Sequence, residues 1–322
     1  MPGKRKFEEQ LAVLDALRHQ PPELSIEPLR KALANRNNFI VGKAADLVCE
    51  LKLIQLTPVL LSAFDRFFDE PVKTDPQCWA KNAISRALAG FEHQDAEVFL
   101  RGLKHIQHEP GYGGSSDSAA TLRATCAHAL VQCRSLRDTD LLPHLIDLLA
   151  DPDKTVRVEA VRAIESVGTA SALILRTRAI VGSDEPEVLG ACYSGILRLE
   201  GVSAISWVSR FLSAGDDAAA EAALAIAETH SLEGFNCLRE RFAKGTDAWF
   251  CSVLLSAIAL TRQGAAFGFL LDQVRKESLH AERAIEAILR SGPPEAVVKK
   301  LEELVKSNPR LRRAFQENRS PR

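Results

Sequence analysis

The chain is poor in most features that announce an activity. Aromatic residues make up only 6 % of its 322 positions, with three tryptophans and two tyrosines. Neither charge is in excess: 41 basic residues meet 42 acidic ones, for a formal net charge of -1. That balance argues against bulk binding to nucleic acid or a membrane surface, while leaving local patches open. No apolar run reaches the roughly 18 residues that a membrane-spanning helix needs. The opening stretch MPGKRKFEEQLAVLDAL turns acidic and amphipathic where a secretory signal would turn apolar. The seven cysteines (Cys49, Cys78, Cys126, Cys133, Cys192, Cys237, Cys251) form no Cys-x-x-Cys pair. Most lie among small apolar residues, where a thiol behaves as a compact hydrophobe. A reduced, cytoplasmic protein is the expectation. Alternating apolar and polar runs are missing too, which weakens any β-sheet reading.

Alanine and leucine dominate what is present, and both favour helix. Glycines punctuate the second half: Gly168, Gly201, Gly234, Gly264 and Gly292 follow amphipathic segments at intervals of about 28 to 33 residues. Such spacing signals a repeat, with glycine supplying the left-handed turn past a helix end. The clearest unit is LLPHLIDLLADPDKTVRVEAVRAIESVG, residues 141–168. Leu141, Leu142, Leu145, Leu148 and Leu149 share one helical face in its first half. Val156, Ala160, Ala163, Ile164 and Val167 do so in its second half.

This unit resembles the HEAT repeat, close to the variety found in phycobilisome-lyase-like proteins. The leucine-rich first helix, the Asp-Pro turn, the VRxxAxxAI motif and the closing glycine carry the likeness. It implies an all-α, right-handed α-α superhelix and no particular activity. Weaker echoes of the Val156–Ile164 frame recur. They are Ile40/Ala44/Leu47/Val48, Ala80/Ile84/Ala87/Leu88, Leu122/Cys126/Ala129/Leu130, VLGACYSGI, AAAEAALAI and FCSVLLSAI. The expectation is one armadillo-type solenoid over 1–322 with about eight two-helix repeats. Its clearest repeats cover 24–168 and 169–292. A terminal helix is expected over 6–19 and another over 293–307, the chain ending in a frayed tail within 293–322.

Aligned repeats turn scattered charges into columns. An acid stands six residues before a base in Asp75/Lys81, Asp117/Arg123 and Asp151/Arg157. In HEAT proteins these positions form a structural ladder, the base of one repeat meeting the acid of a neighbour; ligand binding is the alternative. Leu189 and Cys251 stand at the later positions and end the column. Arg86, His128 and Arg162 form a second column away from the core stripe, with Trp79, Thr121 and Thr125 on the same side. A solvated face and a binding surface are both open for it.

Two adjacent repeats have lengthened turns, 69–77 and 109–118, expected to lie side by side. The second, EPGYGGSSDS, lacks the phosphate-loop signature G-x-x-x-x-G-K-[ST]. Its glycines predict a mobile, extended turn with Tyr112 as a recognition handle. The start of a helix at Ser118, with Arg123 one turn inside, offers a weaker anion site. His105, His108, Glu109, Cys126 and His128 are metal-ligand types, but Cys126 falls in the core frame and His128 outside it. Deoxyhypusine hydroxylase, a HEAT enzyme, holds two irons with repeated His-Glu pairs; only His108-Glu109 forms one here. No metal, cofactor or catalytic nucleophile is therefore expected.

These features favour a non-enzymatic scaffold that presents a curved surface to a protein or peptide partner. Trp79, Arg86, Tyr112, Thr121, Thr125, His128 and Arg162 are its candidate binding residues. The alternative is a nucleic-acid binder resembling the HEAT-type alkylpurine DNA glycosylases. It would use Trp79, Lys81, Arg86, Arg123, Arg162 and the basic stretch NPRLRRAFQENRSPR. A bilin-attachment chaperone, as in the lyases, is a third possibility by analogy of fold.

Overall fold

The computed structural model describes residues 2–111, 114–245 and 247–319, with side chains from Phe7 onward. Tyr112, and with it the proposed handle of the long turn, lies outside the described residues. The chain divides into two compact units, Met1–Ser166 and Val167–Arg322.

In the first unit, helix α1 (Pro2–Leu17) precedes α2 (Pro22–Leu33) and α3 (Asn38–Glu50). Next come α4 (Thr57–Arg66), the single turn α5 (Pro71–Thr74) and α6 (Trp79–Gly90). Helix α7 (Ala96–Leu103) leads to strands β1 (His108–Gly111) and β2 (Gly114–Asp117), then α8 (Ala120–Val131). Helices α9 (Asp138–Asp147) and α10 (Lys154–Val167) complete the set. Short connections make paired helices antiparallel neighbours. The second helices α3, α6 and α8 pack consecutively, and α2 packs on α4 beside them. This two-layer, all-α arrangement is HEAT-like. The recurring frame is its core: Ile40, Ala44, Leu47, Val48, Ala80, Ile84, Ala87, Leu88, Leu122, Cys126, Ala129 and Leu130 are all buried. Each large apolar side chain so buried stabilises the fold by about 1.5–3 kcal/mol.

The second unit repeats the plan. Its pairs are α11 (Ala172–Val181) with α12 (Pro186–Glu200), and the short α13 (Ile205–Val208) with α14 (Asp217–Glu228). They continue as α15 (Leu232–Ala243) with α16 (Ala248–Leu260), and α17 (Gly264–Arg275) with α18 (Ala281–Arg290). Helices α19 (Glu295–Val305) and α20 (Pro309–Arg319) follow. The segment Pro186–Ser213 is long and apolar enough to cross a membrane by length and composition. Gly201, at φ 68°, breaks it into α12 and shorter pieces, and α12 buries its apolar face against α11 and α14.

Three expectations need correction. The turn 109–118 is a β-hairpin, with His108 opposite Asp117, Glu109 opposite Ser116 and Gly111 opposite Gly114. Residues 316–319, the described part of the expected frayed end QENRSPR, belong to α20 (Pro309–Arg319), because Leu311 and Phe315 are buried and the helix packs on α18 and α19. Of the five punctuating glycines, Gly168, Gly201 and Gly292 have positive φ, whereas Gly234 and Gly264 lie in the first turns of α15 and α17. At those two turns His230 (φ 48°) and Arg262 (φ 55°) take the left-handed conformation instead.

Candidate functional site

The first column builds a buried polar network at the leading ends of the second helices. Asp75 is fully buried and accepts from Asn38 Nδ2 (2.9 Å), the Ala80 amide (2.8 Å) and the Lys81 amide (3.0 Å). Its carboxylate also sits 3.0 Å from Lys81 Nζ, itself fully buried, and Lys81 donates to the Phe67 carbonyl. Asp75 lies four residues before α6 yet still caps it. The chain doubles back through Gln77 (φ 61°) and Cys78 (φ 54°), left-handed residues that each cost about 1–3 kcal/mol.

Glu109 holds that strained corner. Its carboxylate accepts from the Gln77 amide (2.8 Å), Gln77 Nε2 (3.2 Å), Gln107 Nε2 (2.7 Å) and the Ser118 hydroxyl. Gln107 Nε2 also reaches the Asp75 carbonyl at 2.8 Å. The two lengthened turns are thus bonded to each other through buried groups. Burial pushes the Glu109 carboxyl up, but the bonds from Ser118, Gln107 and Gln77 outweigh it and hold it below the usual carboxylate range.

Arg123 links the next two repeats. It donates to Asp117 (2.6 Å) in its own repeat and in a bidentate fork to Asp151 (2.7 and 2.9 Å) in the following one. A further bond joins it to the His105 carbonyl. Burial lowers its tendency to stay charged, and the two carboxylates more than restore it. Asp117 is pushed up by burial and held below its ordinary range by the Gln107 and Ala119 amides and by Arg123. Lys81, by contrast, stays with the acid of its own repeat. Arg157 donates to the Asp151 and Pro152 carbonyls.

The network disposes of several candidate chemistries. Helix α8 begins at Ala120, and the Ala119 amide already donates to Asp117, so the anion position at Ser118 holds the protein's own carboxylate. His108 is exposed and Glu109 buried, as neighbours on a strand point to opposite faces. They do not act as one ligand pair. His105 bonds Gln107 Oε1 at 3.1 Å, and among the described residues no three His, Cys, Asp or Glu side chains cluster in metal-holding geometry. Burial pushes the Cys78 thiol up to about 12 and the Cys126 thiol upward as well, away from nucleophilic thiolate.

The second column is a surface with its charges largely matched. Arg86 on α6 meets Asp46 on α3 at 3.0 Å; His128 on α8 and Arg162 on α10 both converge on Glu159, at 2.7 and 2.6 Å. Thr121 is exposed and Thr125 half-buried on α8. Two of the four cations required for a nucleic-acid groove, Lys81 and Arg123, are buried in ion pairs, and the other two are paired. Residues 309–319 of the basic stretch form α20, where Arg310 pairs with Glu282 and Arg313 with Glu317. Among the described residues these bases form no unpaired cluster.

Trp79 and Arg86 come together in a groove of about 240 Å³ between α3 and α6. Its remaining walls are Phe39, Gly42, Lys43, Asp46, Asn82 and Ala83. Trp79 is 50 % exposed and meets Phe39 edge-on, with ring centroids 5.0 Å apart. Lys43 Nζ stands 5.8 Å over the Phe39 ring. Asn82 Oδ1 is buried without a hydrogen-bond donor, a state that costs about 1–3 kcal/mol. A wider trough of about 490 Å³ adjoins the groove, sharing Phe39, Lys43, Asp46 and Arg86 and adding Leu11, Leu14 and Arg18 from α1. Sequence reasoning found Trp79 and Arg86 but missed Phe39, Lys43 and Asn82. Only the α3–α6 packing makes them neighbours.

No family model and no curated protein matches the chain. Among solved structures it is similar to the complex of CpcE and CpcF of phycocyanin lyase from Nostoc sp.. That match has 16 % identity and a TM-score of 0.35, covering 73 % of this chain and 89 % of that one. Human deoxyhypusine hydroxylase in complex with glycerol matches at 18 % identity and a TM-score of 0.29, covering 73 % and 88 %. An engineered protein matches at 17 % identity and a TM-score of 0.35, covering 91 % and 87 %. The likeness is one of fold.

Proposed function

We propose that the chain is a non-enzymatic interaction scaffold that docks a protein or peptide partner on the second-helix face of its first unit. The half-exposed Trp79, standing over a groove rather than packed into the core, carries this reading. A large aromatic left open beside an arginine is the composition of a binding hot spot. The matched charges around it favour a protein partner over a polyanion. The seven free cysteines support a reducing, cytoplasmic setting.

Affinity capture from native lysate, with and without nuclease, tests the reading. The double variant Trp79→Ala/Arg86→Ala should lose the captured partner while keeping the wild-type melting temperature. Capture that survives the double variant, or that disappears on nuclease treatment, refutes it. We further propose that residues 1–322 act as one solenoid. A single calorimetric transition is then expected, and two separable transitions would remove that assignment.

A further inference from the structure

Resting on that reading, we infer that the groove between α3 and α6 is an anchor pocket for one aromatic side chain of an acidic peptide segment. Its size, about 240 Å³, suits a single large side chain rather than a small-molecule cofactor. Phe39 and Trp79 stand at 64° to each other, so two ring walls meet at a steep angle and a third ring can pack against both. Gly42 and Ala83 keep the floor low. A Cβ added at Gly42 would already meet the Trp79 carbonyl at 3.4 Å.

The charge pattern sets the flanking chemistry. Arg86 and Asp46 neutralise each other across the groove, and Arg18 and Glu50 do the same in the adjoining trough at 2.9 Å. Within the groove itself Lys43 is the exception, whereas the adjoining trough also carries the acid Asp15. Among the described residues Lys43 has no carboxylate partner, only the Phe39 ring beneath it. Farther along the face, His128 and Arg162 share the one carboxylate of Glu159. A peptide that sets its ring into the groove therefore finds an unmatched cation at the rim. Aspartate or glutamate beside the aromatic residue complements this pattern; lysine or arginine there opposes it.

The test is selection from a phage-displayed library of random dodecapeptides on the full chain. Recovered peptides should be enriched in Phe, Tyr or Trp next to Asp or Glu. Synthetic copies should lose about tenfold or more in affinity against Lys43→Glu and against Trp79→Ala, with melting temperatures unchanged. Lys43→Glu should instead accept peptides whose acids are replaced by lysine. Recovery of basic peptides, or of peptides indifferent to both variants, overturns the pocket assignment while leaving the scaffold reading standing. If no peptide is enriched and a duplex oligonucleotide binds instead, both readings fall.

Discussion

The two units share one plan of paired helices but hold their second helices together differently. In the first, ionic groups are buried at the helix starts: Asp75 with Lys81, and Arg123 between Asp117 and Asp151. The second keeps one such pair, Arg178 with the buried carboxylate of Asp184 ahead of α12, but its positions corresponding to Lys81 and Arg123 are Leu189 and Cys251, both buried, and Ala222, Ala223, Ala225 and Ala227 make α14 a small-residue helix. Apolar packing is tolerant, because neighbouring side chains can adjust. A buried charge is not. It demands its partners at fixed positions and so specifies where consecutive repeats must sit.

The sharpest way to break this comparison is to delete the bridging base. Arg123→Ala leaves the largely covered carboxylates of Asp117 and Asp151 without their shared buried partner and should cost about 3 kcal/mol in denaturant unfolding. Cys251→Ala, at the corresponding position of the second unit, should cost less than about 1.5 kcal/mol. Equal losses would show that the ionic network is ornamental. Glu109→Gln comes next. It keeps the shape but weakens four hydrogen bonds at the Gln77 corner, and about 1.5–3 kcal/mol should be lost. Hydrogen exchange should then rise in 69–78 and not in the second unit.

Acidity acts with opposite sign on one group in each unit. Burial lowers the His105 pKa, so below about pH 6.5 the unfolded chain takes up that proton more readily, and the first unit weakens as pH falls. Glu221 in the second unit is raised by burial and by the nearby Glu187 and Glu228. Its contribution is full below the unfolded value of about 4.3 and is lost as pH rises through the folded one. As pH falls, hydrogen exchange should therefore show protection falling around His105 and rising around Glu221 while each titrates. At lower pH the first unit also loses the support of Glu109 and Asp117, and the second that of Asp184 and Glu200, whose folded values lie under their unfolded ones. Trends of the same sign around His105 and Glu221 would remove this assignment. The smallest effect belongs to Glu221→Gln. It should stabilise the second unit at neutral pH by less than about 1 kcal/mol, since solvent screens a half-buried carboxylate.

Legibility in the sequence followed the range of the interaction. Val156, Ala160, Ala163 and Ile164 were readable because helical periodicity is local, and their echoes located most second helices. The hairpin was not, since EPGYGGSSDS shows no apolar alternation and its pairing is fixed by Glu109 turning inward. Glu109 itself stood out only as the neighbour of His108 in a lone His-Glu pair, set aside as a metal site. Its bonds to Gln77 span 32 positions, and the one clue was that two lengthened turns fell in adjacent repeats. Lys81 and Arg123 carried the opposite lesson. Their spacing from Asp75 and Asp117 was visible as a ladder, but the sequence did not show that Lys81 would keep to the acid of its own repeat while Arg123 bridges two. The α20 helix was missed because its basic composition hides two apolar residues, Leu311 and Phe315.

Glu109 also bears on how the first unit comes apart. A repeat array behaves as a row of coupled two-state elements, and its cooperativity grows with the strength of each nearest-neighbour term. The carboxylate ties the corner before α6 to the hairpin before α8, and Arg123 ties that hairpin to the start of α10. Fraying that begins in one of these repeats must therefore break its neighbour's bonds as well. The stretch from Asp75 to Asp151 opens as a block, and the lengthened turns at its edge are fasteners rather than slack.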